Sequence, residues 1–442
     1  MLVTIDTLRA DHLGCYGYRR DTSPTIDRIA RDNVALDWVF SPISFTLPSH
    51  YSMMTSRYPS FHSVQFRNGE CGSLEAQEPT IAEVLSRNGF ATGAFIGSPV
   101  MGRDNAPPMV RGFDIYDEEM THGESGRSGE MRRWGKDTNR AAIDWISKHK
   151  RERFFCWLHY TDVQGPYDAP HPFGDHFADE ARALVPKYLD AVENGATGGI
   201  PAHQLLNARA DGFGNLLSYE RNYHYYAARY DGGIRYADSC IARLIEDLVH
   251  LQVYENVLLV LTSDHGEALG ENDVYFSHGL TVTVDQIHVP LIFRFPERSG
   301  VTGSRLTTHS SLLDIAPTLL DFVGAQAQDT QGVSLLPLLR GDDIHRYDTR
   351  VVFSETQTQL AAMDASHQVL MGRGVPGQVQ FPFYHPEAPE HTGVVAYRGD
   401  LYGAPENAFS RLGGLGGEFD SRAREARASL GARVPAVGSK VK

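Results

Sequence analysis

Two stretches of the sequence place metal-binding side chains directly after apolar runs. In VTIDTLRADHLGCYG, Asp6 follows LVTI, and in VLLVLTSDHGEALGEN, Asp264 and His265 follow VLLVLTS. A carboxylate at the end of a buried strand is costly unless it is hydrogen-bonded, ion-paired or bound to a metal. Gly266 would let the chain bend so that Asp264 and His265 face one ion. Alone, Asp6 is better interpreted as a helix N-cap or turn residue, but the three side chains together favour a metal site.

A third stretch, ISFTLPSHYS over residues 43–52, sets Thr46 ahead of Pro48 and His50. A threonine hydroxyl is a poor nucleophile unless a metal or a base lowers its pKa. Delivered to a metal between carboxylates, this hydroxyl would become an activated alkoxide. The pattern therefore predicts Thr46 as metal ligand and nucleophile, and the competing interpretation is a cap at a strand-to-helix junction.

Bringing these groups together requires strands whose ends meet. Apolar or β-branched runs occur at 2–5, 91–97, 154–160, 257–264 and 289–295. Between them lie stretches in which apolar residues recur every three or four positions, as in a helix, such as 78–90 and 236–251. This alternation predicts an α/β fold, a three-layer αβα sandwich with a mostly parallel central sheet. Such sheets bind ligands at the carboxyl ends of their strands, where Asp6, Asp162 and Asp264 would lie.

Composition excludes several classes of partner and site. The chain has 442 residues and a formal net charge of −14, and its 41 Lys and Arg are scattered, so no nucleic-acid footprint is expected. The four Cys are far apart without a CxxC pair, which disfavours a structural zinc site and a disulfide framework. No apolar stretch is long enough to cross a membrane, and no leader precedes the first run, so a cytoplasmic location is the default expectation.

The organisation of the chain suggests one large domain and a smaller part. Gly-rich polar segments at 121–139 and 190–215 are interpreted as excursions that select substrate. Because the first run starts at Met1 and is short for a central strand, we expect that upstream sequence has been lost. The sequence leaves the oligomeric state open, a homo-oligomer included.

Taken in order, the motifs resemble those of the sulfatase family within the alkaline phosphatase superfamily. They are TIDTLRADHLGCYG, TLPSHYSMMTSRYP, LTSDHGEALGEN, SHG, HVPLIF and DIAPTLLDFVG. The resemblance covers roughly residues 1–345, the predicted catalytic domain, and leaves 346–442 as a small C-terminal region with a possible surface helix at 421–434 and a loose tail.

The resemblance implies one divalent metal held by Asp6, Thr46, Asp264 and His265. It also implies that Thr46 is the nucleophile and that His50 is the basic residue of the nucleophile motif. His278, in SHG, matches the later His or Lys that contacts the substrate oxygens or the leaving group.

Three departures from the family pattern accompany these matches. Sulfatases proper carry Cys or Ser followed by x-Pro-x-Arg, and the Cys or Ser becomes a formylglycine, which threonine cannot. The paired Asp-Asp after the first strand is here Asp6-Thr7. In HYTDVQGPY, Gln164 stands where many relatives carry a His, so the acid or base at that catalytic position is in question.

Two further residues are candidates for substrate binding. His159 lies within the run FFCWLHY, where a core histidine is the alternative. Arg9 follows Asp6 closely and would contact an oxyanion, and the alternative is a surface salt bridge.

The chemistry of the covalent intermediate decides the expected function. A sulfated formylglycine hydrate can collapse to the aldehyde, whereas a sulfated threonine has no such exit. A phosphothreonine can be attacked in line by water. We therefore expect a metal-dependent hydrolase of phosphate mono- or diesters, similar to phosphodiesterases and phospho-group transferases, acting on a small anionic ester. The alternatives are a sulfate or phosphonate ester hydrolase, and an inactive member that only binds an anion.

The identity of the metal follows from its ligands. An imidazole such as that of His265 suits Mn²⁺ or Zn²⁺ better than Ca²⁺, which prefers oxygen ligands throughout. Mn²⁺ or Zn²⁺ is the expected ion, with Ca²⁺ and Mg²⁺ as alternatives.

Overall fold

The computed structural model describes most of the chain up to residue 363 and short pieces beyond it. The described residues are 1–62, 64, 66–67, 70–71, 78–123, 131–193, 198–211, 216–326, 329–342, 347, 350–356, 359–363, 368–372 and 395–396. In this part of the chain no helix is long and apolar enough to span a membrane.

An eight-stranded sheet forms the centre of the molecule. Its strands are β1 Leu2–Ile5, β2 Val34–Phe40, β3 Ala91–Ile96, β4 Ile115–Asp117, β5 Phe154–Tyr160, β6 Leu259–Thr262, β7 Leu291–Arg294 and β8 Ser304–Ser311. Their order is β8-β2-β7-β6-β1-β5-β3-β4. All pairings are parallel except those of β7, which runs antiparallel to β6 and β2. The mostly parallel sheet was thus predicted correctly.

The pairing of β1 with its two neighbours sets the position of the site. Thr4 pairs with His159 of β5 on one side and with Thr262 of β6 on the other. The three strands run in the same direction, so their carboxyl ends lie at one edge of the sheet. The amide of Asp6 continues this pairing by donating to the Tyr160 carbonyl at 2.8 Å. The residues that follow these strands therefore meet.

Helices cover both faces of the sheet. Their bounds are Pro24–Asp32, Thr46–Thr55, Pro59–His62, Ile81–Arg87, Pro107–Val110, Gly135–His149, Ala178–Ala183, Tyr223–His250, Val284–Ile287, Ile315–Phe322 and Leu336–Leu339. Leu2 packs into the apolar cluster on one face, while Val3 and Ile5 pack into the cluster on the other, because side chains alternate along a strand. The predicted three-layer arrangement is confirmed.

Short two-stranded ribbons extend from this core. They pair Phe66–Arg67 with Glu70–Cys71, His122–Gly123 with Met131–Arg132, Ala191–Val192 with Ile200–Pro201, Arg209–Ala210 with Leu216–Ser218, and Ala268–Leu269 with Tyr275–Ser277. Two of these ribbons lie within the two predicted excursions, and a third, Arg209–Ala210 with Leu216–Ser218, begins in the second excursion and ends just after it. The end of the first excursion was wrongly assigned, because residues 135–139 begin the helix Gly135–His149.

A second sheet of four strands follows the eight-stranded sheet in the chain, with β9 Val352–Glu355, β10 Gln359–Met363, β11 Gln368–Gly372 and β12 Val395–Ala396. Its first strands are bonded to the main body. The amide of Glu355 donates to the Pro42 carbonyl at 2.8 Å, and the amide of Val282 donates to Gln359 Oε1 at 3.0 Å. The boundary near residue 345 stays a prediction, and the surface helix predicted in the tail lies outside the described residues.

A buried ion pair holds the chain just before β9. Asp314 is fully buried, and its Oδ1 receives Arg350 Nη2 at 2.6 Å. The same carboxylate also accepts the amides of Ser311 and Val333. Arg350 therefore connects the start of the second sheet to the helix that follows β8.

We expect Arg350→Ala to lower the free energy of unfolding by about 3 kcal/mol, because it leaves the buried Asp314 carboxylate without its cation. Chemical denaturation would measure the loss. The matched control is Arg31→Ala, which removes a solvent-exposed pair with Asp32 and should leave stability unchanged. Equal effects of the two substitutions would contradict the role given to Arg350.

Candidate metal centre and its surroundings

Asp6, Asp264 and His265 form a cluster at the carboxyl end of the sheet. Each is fully buried, and one ligand atom from each lies within 4.8 Å of the other two. His265 Nε2 lies 3.7 Å from Asp6 Oδ1 and 3.4 Å from Asp264 Oδ2. The structure thus brings together the three residues that the sequence predicted from two different strand ends.

The carboxylates of the cluster lack hydrogen-bond partners on the side where they face each other. Both oxygens of Asp6 and Oδ2 of Asp264 are buried without a hydrogen bond. Burial and the charge of Asp6 hold the pKa of Asp264 well above its usual range. Burial also acts to raise the pKa of Asp6, but His159 and His265 outweigh it and lower that pKa to about 2. Two such carboxylates cannot both stay ionised without a cation between them, so the site fits a divalent ion.

His265 presents the correct nitrogen to this position. Its Nδ1 lies 2.8 Å from the Gly266 carbonyl, which can only accept a hydrogen bond, so Nδ1 carries the proton. The lone pair on Nε2 is then directed to the cluster, as metal-binding histidines require. Burial is the main cause that lowers the pKa of His265 to about 3, which keeps the imidazole neutral.

Other contacts fix Asp264 in place. Its Oδ1 accepts the amides of Thr7 at 3.2 Å and His265 at 2.9 Å, and its carbonyl accepts Ser49 Oγ at 2.7 Å. Thr7 has φ 60°, a left-handed conformation that is strained for a β-branched residue. Its hydroxyl donates to the Asp6 carbonyl at 2.7 Å. Thr7 thus supports the cluster through its backbone amide. It stands at the position where the family pattern has a second Asp, so the carboxylate of that Asp is absent from this chain.

Thr46 lies at the cluster and begins the helix Thr46–Thr55. Its Oγ1 is 3.2 Å from His265 Nε2, and the residue is buried. The first turn of a helix carries partial positive charge, which favours an anionic oxygen. The roles of Thr46 as metal ligand and as nucleophile stay predictions, and this contact supports them.

His50 lies one turn further along this helix and borders the cluster. Its Nδ1 lies 2.9 Å from the Thr46 carbonyl and 3.5 Å from Asp264 Oδ2, and its Nε2 lies 3.0 Å from Thr4 Oγ1. Burial, then the neighbouring His159, lowers its pKa to about 3. A neutral imidazole with both nitrogens engaged supports the start of the helix, and a direct catalytic role of His50 stays a prediction.

His278 lies beside His265, with 4.4 Å between the ring centroids. Its Nδ1 is 3.1 Å from Oε1 of Glu267, which is fully buried. A carboxylate partner fixes the tautomer of a histidine and stabilises its protonated form. Glu267 was not among the predicted site residues. Its place in DHGE, two residues after His265, was the available signal.

The remaining predicted residues lie at different distances from the cluster. His159 is fully buried with Nε2 at 3.6 Å from Asp6 Oδ2, and neither ring nitrogen has a hydrogen bond. Gln164 accepts a hydrogen bond from Thr161 at 3.2 Å, and no contact among the described residues joins it to the cluster. His159 thus belongs to the centre, and the role of Gln164 stays a prediction.

Arg9 does not present its guanidinium to the cluster. Its Nε and Nη2 bind the two oxygens of Asp11 at 2.9 and 2.7 Å. Its Nη1 binds Glu271 at 2.8 Å and the Glu267 carbonyl at 3.0 Å. The structure therefore contains a buried salt bridge of Arg9, where the alternative interpretation expected one at the surface, and the substrate-binding role of Arg9 stays a prediction.

Known proteins that are similar to this chain in sequence include sulfatases. The model of a protein family described as Sulfatase matches residues 1–325. Iduronate 2-sulfatase of Homo sapiens is 25% identical over 383 residues, covering 77% of this chain and 68% of that protein. Choline-sulfatase of Rhizobium meliloti (strain 1021) is 28% identical over 363 residues, covering 72% and 67%.

Among solved structures, the phosphonate monoester hydrolase SpPMH from Silicibacter pomeroyi is similar in fold. Its TM-score is 0.63 at 19% sequence identity, over 96% of this chain and 95% of that chain. At this identity the likeness bears on the fold alone, and it confirms the α/β architecture.

We expect Asp6→Asn, Asp264→Asn and His265→Ala each to lose the bound divalent ion, because each removes a ligand atom from a small cluster. Elemental analysis of the purified proteins should find about one ion per chain in the wild type and near none in the variants. The control is Asp238→Asn, since Asp238 is a buried carboxylate that accepts the amides of Thr25 and Ile26 instead. Full occupancy in any two of the three variants would refute the ligand set.

Removing the ion should also destabilise the protein. A chelator is expected to lower the melting temperature of the wild type by about 5 °C, because ion binding stabilises the folded state only. Asp6→Asn should show no such response, and its metal-free form should melt no lower than the metal-free wild type, since the repulsion with Asp264 is gone. Differential scanning calorimetry with and without chelator tests both expectations, and a wild type indifferent to chelator would contradict them.

Proposed function

This chain belongs to the sulfatase family, and from that premise we propose that it hydrolyses phosphate mono- or diesters through Thr46. Members of the family are hydrolases that bind a divalent metal ion. The observation that carries the proposal is the 3.2 Å contact between Thr46 Oγ1 and His265 Nε2, beside two buried carboxylates. The relatives are named sulfatases, and sulfate or phosphonate ester hydrolysis is therefore the alternative.

Each residue of the cluster has a distinct role in the proposed reaction. Asp6, Asp264, His265 and Thr46 would hold the ion, for which Mn²⁺ or Zn²⁺ suits the imidazole ligand. When bound, such an ion would polarise the ester and lower the pKa of the Thr46 hydroxyl. The start of the helix Thr46–Thr55 adds a favourable field for the anionic oxygen.

The proposed reaction has two displacements at phosphorus. Thr46 gives up its proton to solvent, and Oγ1 forms a bond to phosphorus as the bond from phosphorus to the leaving oxygen breaks. His278, held by Glu267, donates a proton to that leaving oxygen. Water then attacks phosphorus and gives one proton to His278, which restores the donor, while the bond from phosphorus to Thr46 Oγ1 breaks and that oxygen takes a proton from solvent. His50 and His159 shape the pocket without taking part in these bonds.

The choice of phosphorus over sulfur rests on the second displacement. A formylglycine can expel sulfate by forming an aldehyde, and the side chain of Thr46 has no second oxygen with which to do so. A sulfated Thr46 would have to be attacked at sulfur, whereas phosphothreonine can be attacked in line at phosphorus. The residue type at this position thus supports phosphoryl chemistry.

We expect Thr46→Ala to lose at least about 1,000-fold in kcat while keeping its fold, because the attacking oxygen is removed. Thr46→Ser should retain partial activity. The matched control is Thr55→Ala at the other end of the same helix, whose hydroxyl donates to the Tyr51 carbonyl. Rates on 4-nitrophenyl phosphate, bis-4-nitrophenyl phosphate, an aryl methylphosphonate and 4-nitrophenyl sulfate would be compared for each protein.

Acid quenching during turnover, followed by mass spectrometry, should find added phosphate on the peptide that carries Thr46. Substantial turnover by Thr46→Ala would instead indicate direct attack by water, with Thr46 as a helix-start residue. A preference for the aryl sulfate would favour the alternative function.

A further inference from the structure

The turn after strand β1 joins Asp6 to the residues that follow strand β6. Within this turn, the amide of Thr7 donates to Asp264 Oδ1 at 3.2 Å, and the amide of Leu8 donates to Ser263 Oγ at 2.9 Å. The two acceptors directly follow strand β6. Thr7 is held at φ 60°, and a strained conformation of this kind persists only where several contacts fix it. The turn therefore needs support from outside the sheet as well.

That support comes from Tyr230, which lies on the helix Tyr223–His250. The hydroxyl of Tyr230 accepts the amide of Arg9 at 3.0 Å and donates to the Thr7 carbonyl at 2.8 Å. One hydroxyl group thus bridges the two backbone groups on either side of Leu8. Because Tyr230 is fully buried, loss of its hydroxyl would leave two buried backbone groups without this partner.

The helix that carries this hydroxyl is itself fixed in place. The residue after the tyrosine, Asp231, is fully buried, and its Oδ2 accepts hydrogen bonds from Tyr18 and Arg20, each at 2.7 Å. Gly232 packs closely against another loop, because a Cβ at this position would lie 2.4 Å from the Phe173 carbonyl oxygen. The position of the tyrosine hydroxyl is therefore set by the fold and does not depend on the turn that it holds.

On the basis of the metal site that the proposed function requires, we propose that Tyr230 is a positioning residue for that site. Its hydroxyl acts on the backbone of Thr7, whose amide in turn donates to Oδ1 of the ligand Asp264. Removal of a partner that orients a metal ligand typically weakens ion binding by about 10–100-fold. Loss of the Tyr230 hydroxyl should therefore weaken ion binding although every ligand atom is still present.

The same helix offers a matched control. Tyr226 lies one turn before Tyr230 and is also fully buried. Its hydroxyl likewise bridges two backbone groups, since it accepts the Leu206 amide at 2.9 Å and donates to the Glu220 carbonyl at 3.0 Å. Neither of these groups belongs to the turn after strand β1. Tyr226→Phe and Tyr230→Phe thus remove the same atom from equivalent settings, and only the second change should affect ion binding.

The first experiment titrates Mn²⁺, and separately Zn²⁺, into the chelator-treated full chain by isothermal calorimetry. We expect Tyr230→Phe to raise the dissociation constant of the ion by about 10–100-fold and Tyr226→Phe to leave it at the wild-type value. A wild-type constant in Tyr230→Phe, or an equal rise in the two variants, would overturn the proposal. Failure of the wild type to bind either ion would overturn it together with the metal site.

Chemical denaturation of the metal-free proteins separates positioning from a general loss of stability. Each variant leaves two buried backbone groups without a hydroxyl partner, so the two variants should be destabilised to a similar extent. The difference in ion affinity should then remain between two equally stable proteins. A much larger destabilisation by Tyr230→Phe, with ion binding lowered only in proportion to the unfolded fraction, would indicate a purely structural role and contradict the proposal.

Turnover distinguishes this inference from the proposed function. With bis-4-nitrophenyl phosphate, Tyr230→Phe should need about 10–100-fold more of the titrated ion for its half-maximal rate. At saturating ion it should reach the kcat of Tyr226→Phe, because Thr46 and all ligand atoms are retained. A kcat that stays low at saturating ion would refute the positioning role. If the wild type cleaves no ester, the proposed function fails, while the comparison of ion affinities still decides whether Tyr230 positions the site.

Discussion

The repulsion between two buried carboxylates is the constraint on which this structure depends. Asp6 and Asp264 face each other through oxygens without hydrogen bonds, and both side chains are fully buried. Two negative charges in such surroundings cost several kcal/mol unless a cation lies between them. The imidazole of His265, with its lone pair directed inward, is the neutral ligand that completes such a site. We therefore expect ion binding at this edge of the sheet to stabilise the folded chain.

The surrounding backbone is arranged to hold that repulsive geometry. Thr7 is kept in a left-handed conformation, and in return its amide and hydroxyl bond to Asp264 and to the Asp6 carbonyl. Gly266 allows another close approach, because a Cβ at this position would lie 2.1 Å from the Asp285 carbonyl oxygen. Strain of this kind persists only where neighbouring contacts over-determine it. The local distortions thus serve the placement of three side chains.

The centre of the site was predicted well because a polar residue directly after an apolar run marks the end of a strand. Asp6 and Asp264 follow apolar runs, and parallel neighbouring strands must bring such residues together. The prediction was weaker where the position of a side chain depends on the path of a loop. Glu267 was missed for this reason. The sequence also could not show whether Arg9 pairs with carboxylates of the protein or with an oxyanion of a substrate. The strand Ser304–Ser311 also escaped notice, since its residues are mostly polar and lie at the edge of the sheet.

Thr46 links the fold to the proposed chemistry. It begins a helix, so its hydroxyl lies in a positive field, and its Oγ1 is 3.2 Å from His265 Nε2. In the proposed function, that field and the ion that the cluster would hold attract the anionic ester. Under the same proposal, threonine in place of a formylglycine precursor favours attack at phosphorus, because a sulfated Thr46 could release sulfate only by slow attack at sulfur.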